Sequence, residues 1–424
     1  MPQAQGVPPG SRGDRRAGRS VSVSRRLVLD LVRTRAPISR VELAEATGLT
    51  QAAISHAVRA LIDEGLLRET GVREYTGGKP RVMLTLDRLA RCSVGIQLGA
   101  DWIVVVVVDA RGFVVARTRV RGARSRDPRD VVATLAEQVD VLLTAADVDR
   151  SAVVGVGLAV AGALDLDEGA VLVSRTLERW QRFPVRTALA EATGLPVVLD
   201  NDATAAAIGE FWSGRIPGSA AHCTIYMGAS IGAGIVIAGS VYRGASSNTG
   251  PLGRMRLHRD HRSPGATVED LAAPRAVAAR ARAAVAAGRS SIAQLSVDGD
   301  PFTDFAAVAT AAVHGDPLSV ALVEESAEYL ADAAVAVANI LDLDSLVLAG
   351  PSFTTAGSLY LTIVERRLEE EFFAAAKHRV RVSLSPQTAD AAAVGAASLV
   401  LQEELAPRHL GAPGGRSGLS SAAL

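Results

Sequence analysis

The stretch VVLDNDATAAAIGE, residues 197–210, runs a short apolar strand into an acidic turn and then into an alanine-rich helix. Asp202 falls at the mouth of that helix, where a carboxylate can take the proton of a hydroxyl group or simply hold it. Two further stretches, VGIQLGADWIVVVVVD at 94–109 and CTIYMGASIGAGIVIAG at 223–239, each read as strand, glycine-bearing turn, strand. Turns of this kind let backbone approach a ligand, and their N–H groups can cradle phosphate. A third set of reactive types lies nearer the N-terminus. Gln51, Ala52, Ser55, His56 and Arg59 share the outer face of one helical pattern. Its polar members have the types that reach base edges and phosphates in DNA, and Ala52 is small enough to let the helix sit deep in a groove.

Elements that would position these residues follow from caps and periodicity. SRRLVLDLVRTRAP predicts a first helix with Leu27, Leu31 and Val32 inward. A second, in ISRVELAEATG, has Ser39 as N-cap and Glu42 three residues on, a capping box. Gly48 then breaks the chain. Thr50 caps a third helix, in which Ile54, Val58 and Leu61 make a buried stripe at i, i+4, i+7. Two short helices joined by a glycine turn make a helix-turn-helix, the second being the recognition helix. The following LLRETGVREYTGGKPRVMLTL predicts a β-hairpin wing whose basic residues, Arg73, Lys79 and Arg81, face the phosphate backbone or minor groove.

At 424 residues the chain exceeds one ordinary core, so two or three domains are expected. Residues 1–20 and 405–424 are Gly-, Pro-, Ser- and Arg-rich without periodicity and read as disordered tails. Residues 21–87 form the winged helix; residues 90–404 alternate Val/Ile/Leu runs with alanine-rich helical patterns, the α/β signature. The net charge is zero, so the whole-chain balance names no partner. Its distribution does: residues 1–87 carry fourteen Lys or Arg against nine Asp or Glu, a basic module on a mildly acidic body, which points to a polyanion. Cys92 and Cys223 make neither a disulfide framework nor a metal spacing, and the longest apolar runs fall short of a membrane span. A cytoplasmic protein with no membrane partner is expected.

The order and spacing of GGKP at 77–80, the hairpin at 95–109, NDATAAAIGE at 201–210, MGASIGAGIVIAGSVYRGASSNTG at 227–250 and LVLAGP at 346–351 give the chain a resemblance to the ROK family (repressors, open reading frames and kinases). It resembles the transcription-regulator branch, over nearly everything between residues 22 and 404. The resemblance implies a winged helix-turn-helix followed by a two-lobed actin-like ATPase fold, with sugar and nucleotide meeting in the cleft. In the family's sugar kinases the aspartate of an Asn-Asp pair serves as general base toward the sugar hydroxyl, and Asn201 and Asp202 match that pair.

The chain departs from the kinase pattern elsewhere. The family's Asp-x-Gly-Gly-Thr is here Gln97-Leu98-Gly99-Ala100-Asp101, and Gly-Thr-Gly-Ile-Gly-Gly-Gly is Gly228-Ala229-Ser230-Ile231-Gly232-Ala233-Gly234. Gln97, Gly99, Gly228, Gly232 and Gly234 therefore read as vestiges of nucleotide loops. The family's zinc set needs a histidine, here Arg254, and three cysteines from a loop that here reads HRDHRSPGATVEDL. His258, Asp260 and His261 of that loop read as solvated, so neither metal nor cofactor is expected. Of the sugar contacts, Asn201, Asp202 and Glu269 match; Thr176 stands for an asparagine, and Pro251 and Arg254 for a glutamate and the histidine. Arg254, facing the cleft, would favour a carboxylate or phosphate.

These readings converge on a non-catalytic DNA-binding regulator, a repressor of carbohydrate genes. Its partners are double-stranded operator DNA and a small sugar-like effector, and its state a homodimer or dimer of dimers. An ATP-dependent sugar kinase with an attached DNA-binding module is the competing reading. A regulator whose large domain only dimerises is the third.

Overall fold

The computed structural model describes residues 24, 25, 27–74, 81–213, 216, 218–257 and 265–405. Leu405, expected in the C-terminal tail, ends a helix; the rest of both expected tails, the GGKP tip with Lys79, and His258, Asp260 and His261 lie outside the described residues, as does the side chain of Arg73.

A first helix, α1 (residues 27–35), precedes strand β1 (Ile38–Ser39), helices α2 (Arg40–Thr47) and α3 (Gln51–Asp63), and the hairpin β2 (Leu67–Glu74) and β3 (Arg81–Leu86). The three strands pair in the order β1-β3-β2. The capping box is formed: the Ser39 hydroxyl accepts from the Glu42 N–H, and the Glu42 carboxylate accepts from the Ser39 N–H at 2.8 Å. Gly48 takes the left-handed conformation at φ 69°, and the Thr50 hydroxyl accepts from the Ala53 N–H. Each such cap is worth about 1 kcal/mol, enough to set where these short helices begin. Ile54, Val58 and Leu61 are fully buried, with Ala57 beside them. The phase of α1 differs from the expected one. Val28, Leu29 and Val32 are buried, whereas Leu27 and Leu31 are half-buried. The reason is a second partner: this core continues into the next domain, through Val104, Val106 and Val108 on one side and Ala393, Val394, Ala397 and Leu401 on the other.

The larger region holds two five-stranded sheets. The first contains β4 (Cys92–Leu98), β5 (Trp102–Asp109), β6 (Val114–Arg121), β7 (Val153–Val160) and β10 (Val197–Asn201), in the order β10-β7-β4-β5-β6. The second contains β11 (Ala221–Met227), β12 (Ile231–Ile237), β13 (Ser240–Val241), β14 (Ser345–Ala349) and β15 (Arg381–Leu384), in the order β13-β12-β11-β14-β15. Both are one pattern: an antiparallel meander of three strands followed by two parallel additions. The two glycine-bearing stretches are the hairpins that open each sheet. Helices α4 (Pro128–Ala145) and α5 (Val185–Thr193) and the small hairpin β8 (Ala163–Asp165) and β9 (Ala170–Val173) complete the first lobe. Helices α7 (Val268–Ala272), α8 (Pro274–Ala286), α9 (Pro301–Val313), α10 (Pro317–Leu341) and α11 (Gly357–Glu371) complete the second. Among the described residues no single helix is long and apolar enough to cross a membrane.

Two helices, α6 (Asp202–Trp212) and α12 (Ala391–Leu405), fill the space between the sheets. Helix α12 lies on the first sheet, α6 on the second, and the two pack on each other. Small residues permit this spacing. A Cβ on Gly157 of β7 would fall 1.8 Å from the Ala396 carbonyl oxygen, one on Gly234 of β12 would fall 2.2 Å from that of Ala203, and one on Gly395 of α12 would fall 1.8 Å from that of Ala205. All three obstacles are backbone and cannot rotate away. Gly395→Ala is therefore expected to destabilise the protein by roughly 2–3 kcal/mol, by forcing α6 and α12 apart. Chemical denaturation measures it; an unchanged midpoint would mean the helices have room to separate.

Candidate functional site

Strand β10 ends at Asn201 and α6 starts at Asp202, so the strand-to-helix junction points into the gap between the lobes. Asn201 is the N-cap: its side-chain oxygen accepts from the Ala203 N–H at 3.0 Å, and its amide donates to the Gly162 carbonyl at 3.3 Å. Asp202 also accepts from the Ala203 N–H, at 2.9 Å, and no cation pairs with it among the described residues. Its side chain is buried, and burial raises its pKa from an ordinary 3.8 to about 6, against the lowering effect of backbone N–H groups.

A cleft of about 350 Å³ opens at this junction, within the range of small-molecule sites. All five expected effector residues line it: Thr176, Asn201, Asp202, Arg254 and Glu269. The cleft also brings in residues to which the sequence drew no attention, chiefly Arg175, Arg275, Asn248 and Ser174. Arg175 is next to Thr176, and Asn248 lies in a block already notable for its spacing, but nothing in composition or period marks either.

Side chains bridge the lobes around this cleft. Arg175 of the first lobe meets Glu269 of the second at 3.2 Å. The amide of Asn248, beyond β13, clasps Leu164 of β8, accepting from its N–H at 2.7 Å and donating to its carbonyl at 2.9 Å. Arg243 pairs with the buried Asp200, and the Gln97 amide donates to the hydroxyl of Tyr226. Tyr226 is buried between the sheets, so its phenol stays protonated.

The residues of the expected nucleotide loops have structural occupations. Gln97 carries a neutral amide bound to Tyr226. The Gly99–Asp101 turn folds back on residues 122–124, with Asp101 paired to Arg124 at 2.6 Å. Gly228 closes a tight turn, its N–H donating to the Ser230 carbonyl at 3.0 Å. Gly232 lines the same cleft as Asp202, and Gly234 packs against α6. In the first loop the Gln97 amide is engaged by Tyr226 and the Asp101 carboxylate is paired with Arg124. Among the described residues no group of three or more His, Cys, Asp or Glu side chains could hold a metal ion. Arg254 is no metal ligand, and both cysteines are buried in strands, with thiols pushed up to about 11 at Cys92 and about 12 at Cys223 by burial.

On the winged helix, Gln51, Ala52, His56 and Arg59 are exposed along α3, Ser55 is half-buried, and Thr50 is exposed at its cap. Arg73 lies in β2, and Arg81 opens β3 half-buried. The module is held to the first lobe by more than the linker. Arg33 of α1 stacks over the Trp212 ring at 3.9 Å and donates to the Trp212 carbonyl. Arg88 pairs with the buried Asp109 of β5.

A winged module on a two-lobed, twice-repeated α/β body defines a class, and the comparisons with known proteins give its family. The ROK family pattern matches residues 93–403 and a winged helix-turn-helix DNA-binding pattern matches residues 23–68. The chain belongs to the ROK family. It is 27% identical over 389 residues to a putative xylose repressor of Caldicellulosiruptor sp. (strain Rt8B.4), covering 91% of this chain and 96% of that one. Its fold matches that of a ROK family transcriptional regulator described as a homologue of the E. coli MLC protein, with TM-score 0.70 and 24% identity over 91% of this chain and 98% of the other. It also matches a ROK family glucokinase from Streptomyces griseus in complex with glucose and AMPPNP, with TM-score 0.62 and 25% identity over 73% of this chain and 98% of that enzyme. The fold is thus the expected one, a winged helix-turn-helix followed by a sugar-kinase-like, actin-like body.

The perturbed Asp202 has a consequence for stability. Its folded pKa, about 6, lies above the unfolded 3.8, so the fold favours the neutral acid. That contribution is present below pH 4 and lost as pH rises through 6. Asp202→Asn has no such dependence. Relative to wild type it should gain stability between pH 4 and pH 7, by roughly 3 kcal/mol at full effect. Parallel urea titrations of the two proteins across that range measure it. A constant difference would mean that the carboxylate is solvated or paired.

Proposed function

We infer that this protein is a cytoplasmic transcriptional regulator of the repressor type. In this reading, Thr50, Gln51, Ala52, Ser55, His56 and Arg59 of α3 and its cap, with Arg73 and Arg81 of the wing, meet operator DNA. Thr176, Asn201, Asp202, Arg254 and Glu269 hold a small sugar-like effector, and Asp202 orients a ligand hydroxyl without catalysing transfer. The observation that carries it is the placement of α6. The helix begins in the cleft at Asp202 and ends at Trp212, beneath Arg33 of the winged module. Its eleven residues span about 16 Å. A ligand that changes how the lobes close on Asp202 would move the far end of a rigid element already in contact with α1.

The relatives named as xylose repressors support the regulator reading, and the engaged Gln97 and paired Asp101 support the absence of phosphoryl transfer. A homodimer follows from the geometric need of paired recognition helices to match half-sites about 34 Å apart. An effector shifts such an arrangement only by binding one form better than the other. The retained Asn201–Asp202 pair favours the kinase reading as a competitor. It would be established by ATP-dependent phosphorylation of a sugar that disappears in Asp202→Asn.

Selection of genomic fragments by the full-length protein at fixed moderate salt, followed by sequencing, should enrich a two-fold-symmetric site beside sugar uptake or catabolic genes. Absence of any enriched sequence would count against the DNA reading. On that site Arg59→Ala should weaken binding and lower the slope of log affinity against log salt by about one unit. An unaltered slope would take Arg59 out of the phosphate contacts. A thermal-shift panel of sugars identifies the effector, since a ligand of the native state must raise the melting temperature. With it, Arg33→Ala should reduce the effector-induced change in operator affinity roughly 3- to 30-fold while each ligand still binds alone. An intact response in Arg33→Ala would mean that the signal leaves the cleft by another route.

A further inference from the structure

We propose that the effector is a polyhydroxylated anion, a sugar bearing a carboxylate or a phosphate, and that Arg254 is the residue that selects it. This rests on the effector reading above and narrows the ligand class.

Three arginines line the cleft, Arg175, Arg254 and Arg275, with two acids, Asp202 and Glu269. Glu269 is buried and stands 3.2 Å from both Arg175 and Arg275, and Arg275 also meets Asp270 at 3.2 Å. Those two arginines are therefore spoken for in the ligand-free cleft. Arg254 pairs with no carboxylate among the described residues. An arginine on the cleft wall with no carboxylate partner favours an anion, and polar side chains such as Asn201, Thr176 and Ser174 are present for its hydroxyl groups.

The backbone that carries the exposed Arg254 side chain is positioned firmly. Arg254 ends a short helical turn, Leu252–Arg254; its own N–H donates to the Pro251 carbonyl at 2.9 Å, and that of the next residue, Met255, to the Leu252 carbonyl at 3.0 Å. Gly253 lies so close to the neighbouring elements that a Cβ there would stand 2.7 Å from the Ile231 carbonyl oxygen and 3.0 Å from Glu269 Oε2. The backbone carrying Arg254 is thus fastened against the wall of the cleft. From there its guanidinium can give the paired N–H donors that match a carboxylate or phosphate edge, a geometry a neutral hydroxyl does not use.

The test is a calorimetric titration of the full-length protein, at constant ionic strength, with matched ligands: a set of aldoses, the corresponding uronates and aldonates, and the corresponding 1- and 6-phosphates. At least one anion is expected to bind ten- to a hundredfold more tightly than its neutral parent. That preference should vanish in Arg254→Gln and be partly retained in Arg254→Lys. The carboxylate and phosphate arms say which anion the cleft takes. Binding of neutral sugars as tight as, or tighter than, that of every anion overturns the anion assignment and leaves effector sensing standing. A preference that survives Arg254→Gln overturns the role of Arg254. If no sugar of either charge binds, the effector reading fails and this inference with it. The unliganded melting temperatures of the two variants show that each is folded.

Discussion

Four layers, sheet on helix on helix on sheet, are held together at distances that only glycine and alanine allow. Gly157 against Ala396, Gly395 against Ala205, and Gly234 against Ala203 bring backbone next to backbone across each successive interface. A larger side chain at any of these points would meet a carbonyl group. The alanine-rich composition of α6 and α12 follows from this constraint. So does the position of Asp202: the helix that carries it is pressed on one side against β12 and on the other against α12, and its first turn has no freedom to swing out of the cleft. Burial of the carboxyl, and its rise toward neutral pH, come from the same close packing.

The cleft between the lobes is held more lightly than the helices behind it. Arg175 reaches Glu269 with its own side chain half in water, and such pairs contribute little net stability. The Asn248 clasp on Leu164 is stronger in geometry but involves a single side chain. Rigid layers joined by light ties are the arrangement in which a ligand of modest affinity can change the population of closed and open forms. The winged module shares a continuous apolar core with β5 and α12 and is braced by Arg33 on Trp212. A change in the body would therefore reach the module through packed contacts as well as through the linker.

Local features of the chain were legible from its residues: the Ser39–Glu42 capping box, the Gly48 turn, the buried stripe of α3, and the two hairpins that open the repeated sheets. Each rests on groups within a few residues of one another, where side-chain reach and backbone hydrogen bonding leave few alternatives. The pairing of Asn201 with Asp202 at a helix start belongs to the same class. The fold and the family could be read as well, because the order of several such blocks is far more restrictive than any one of them.

Other features needed the folded chain. The inward face of α1 is decided by two partners at once, the winged module and the first lobe, and the periodicity of a single helix cannot say which neighbour it will meet. Gly232 and Gly234 read as vestiges of a nucleotide loop; folding sets one on the cleft wall and the other beneath α6. Arg175, Arg275 and Asn248 reach the site from segments far apart in the chain, and no spacing along the sequence encodes their meeting with Asp202 and Glu269. The sequence by itself determined which local structures form and which chemical groups are available. The tertiary structure decided which of those groups face one another, because long-range contacts depend on how whole elements pack and not on the residues beside them.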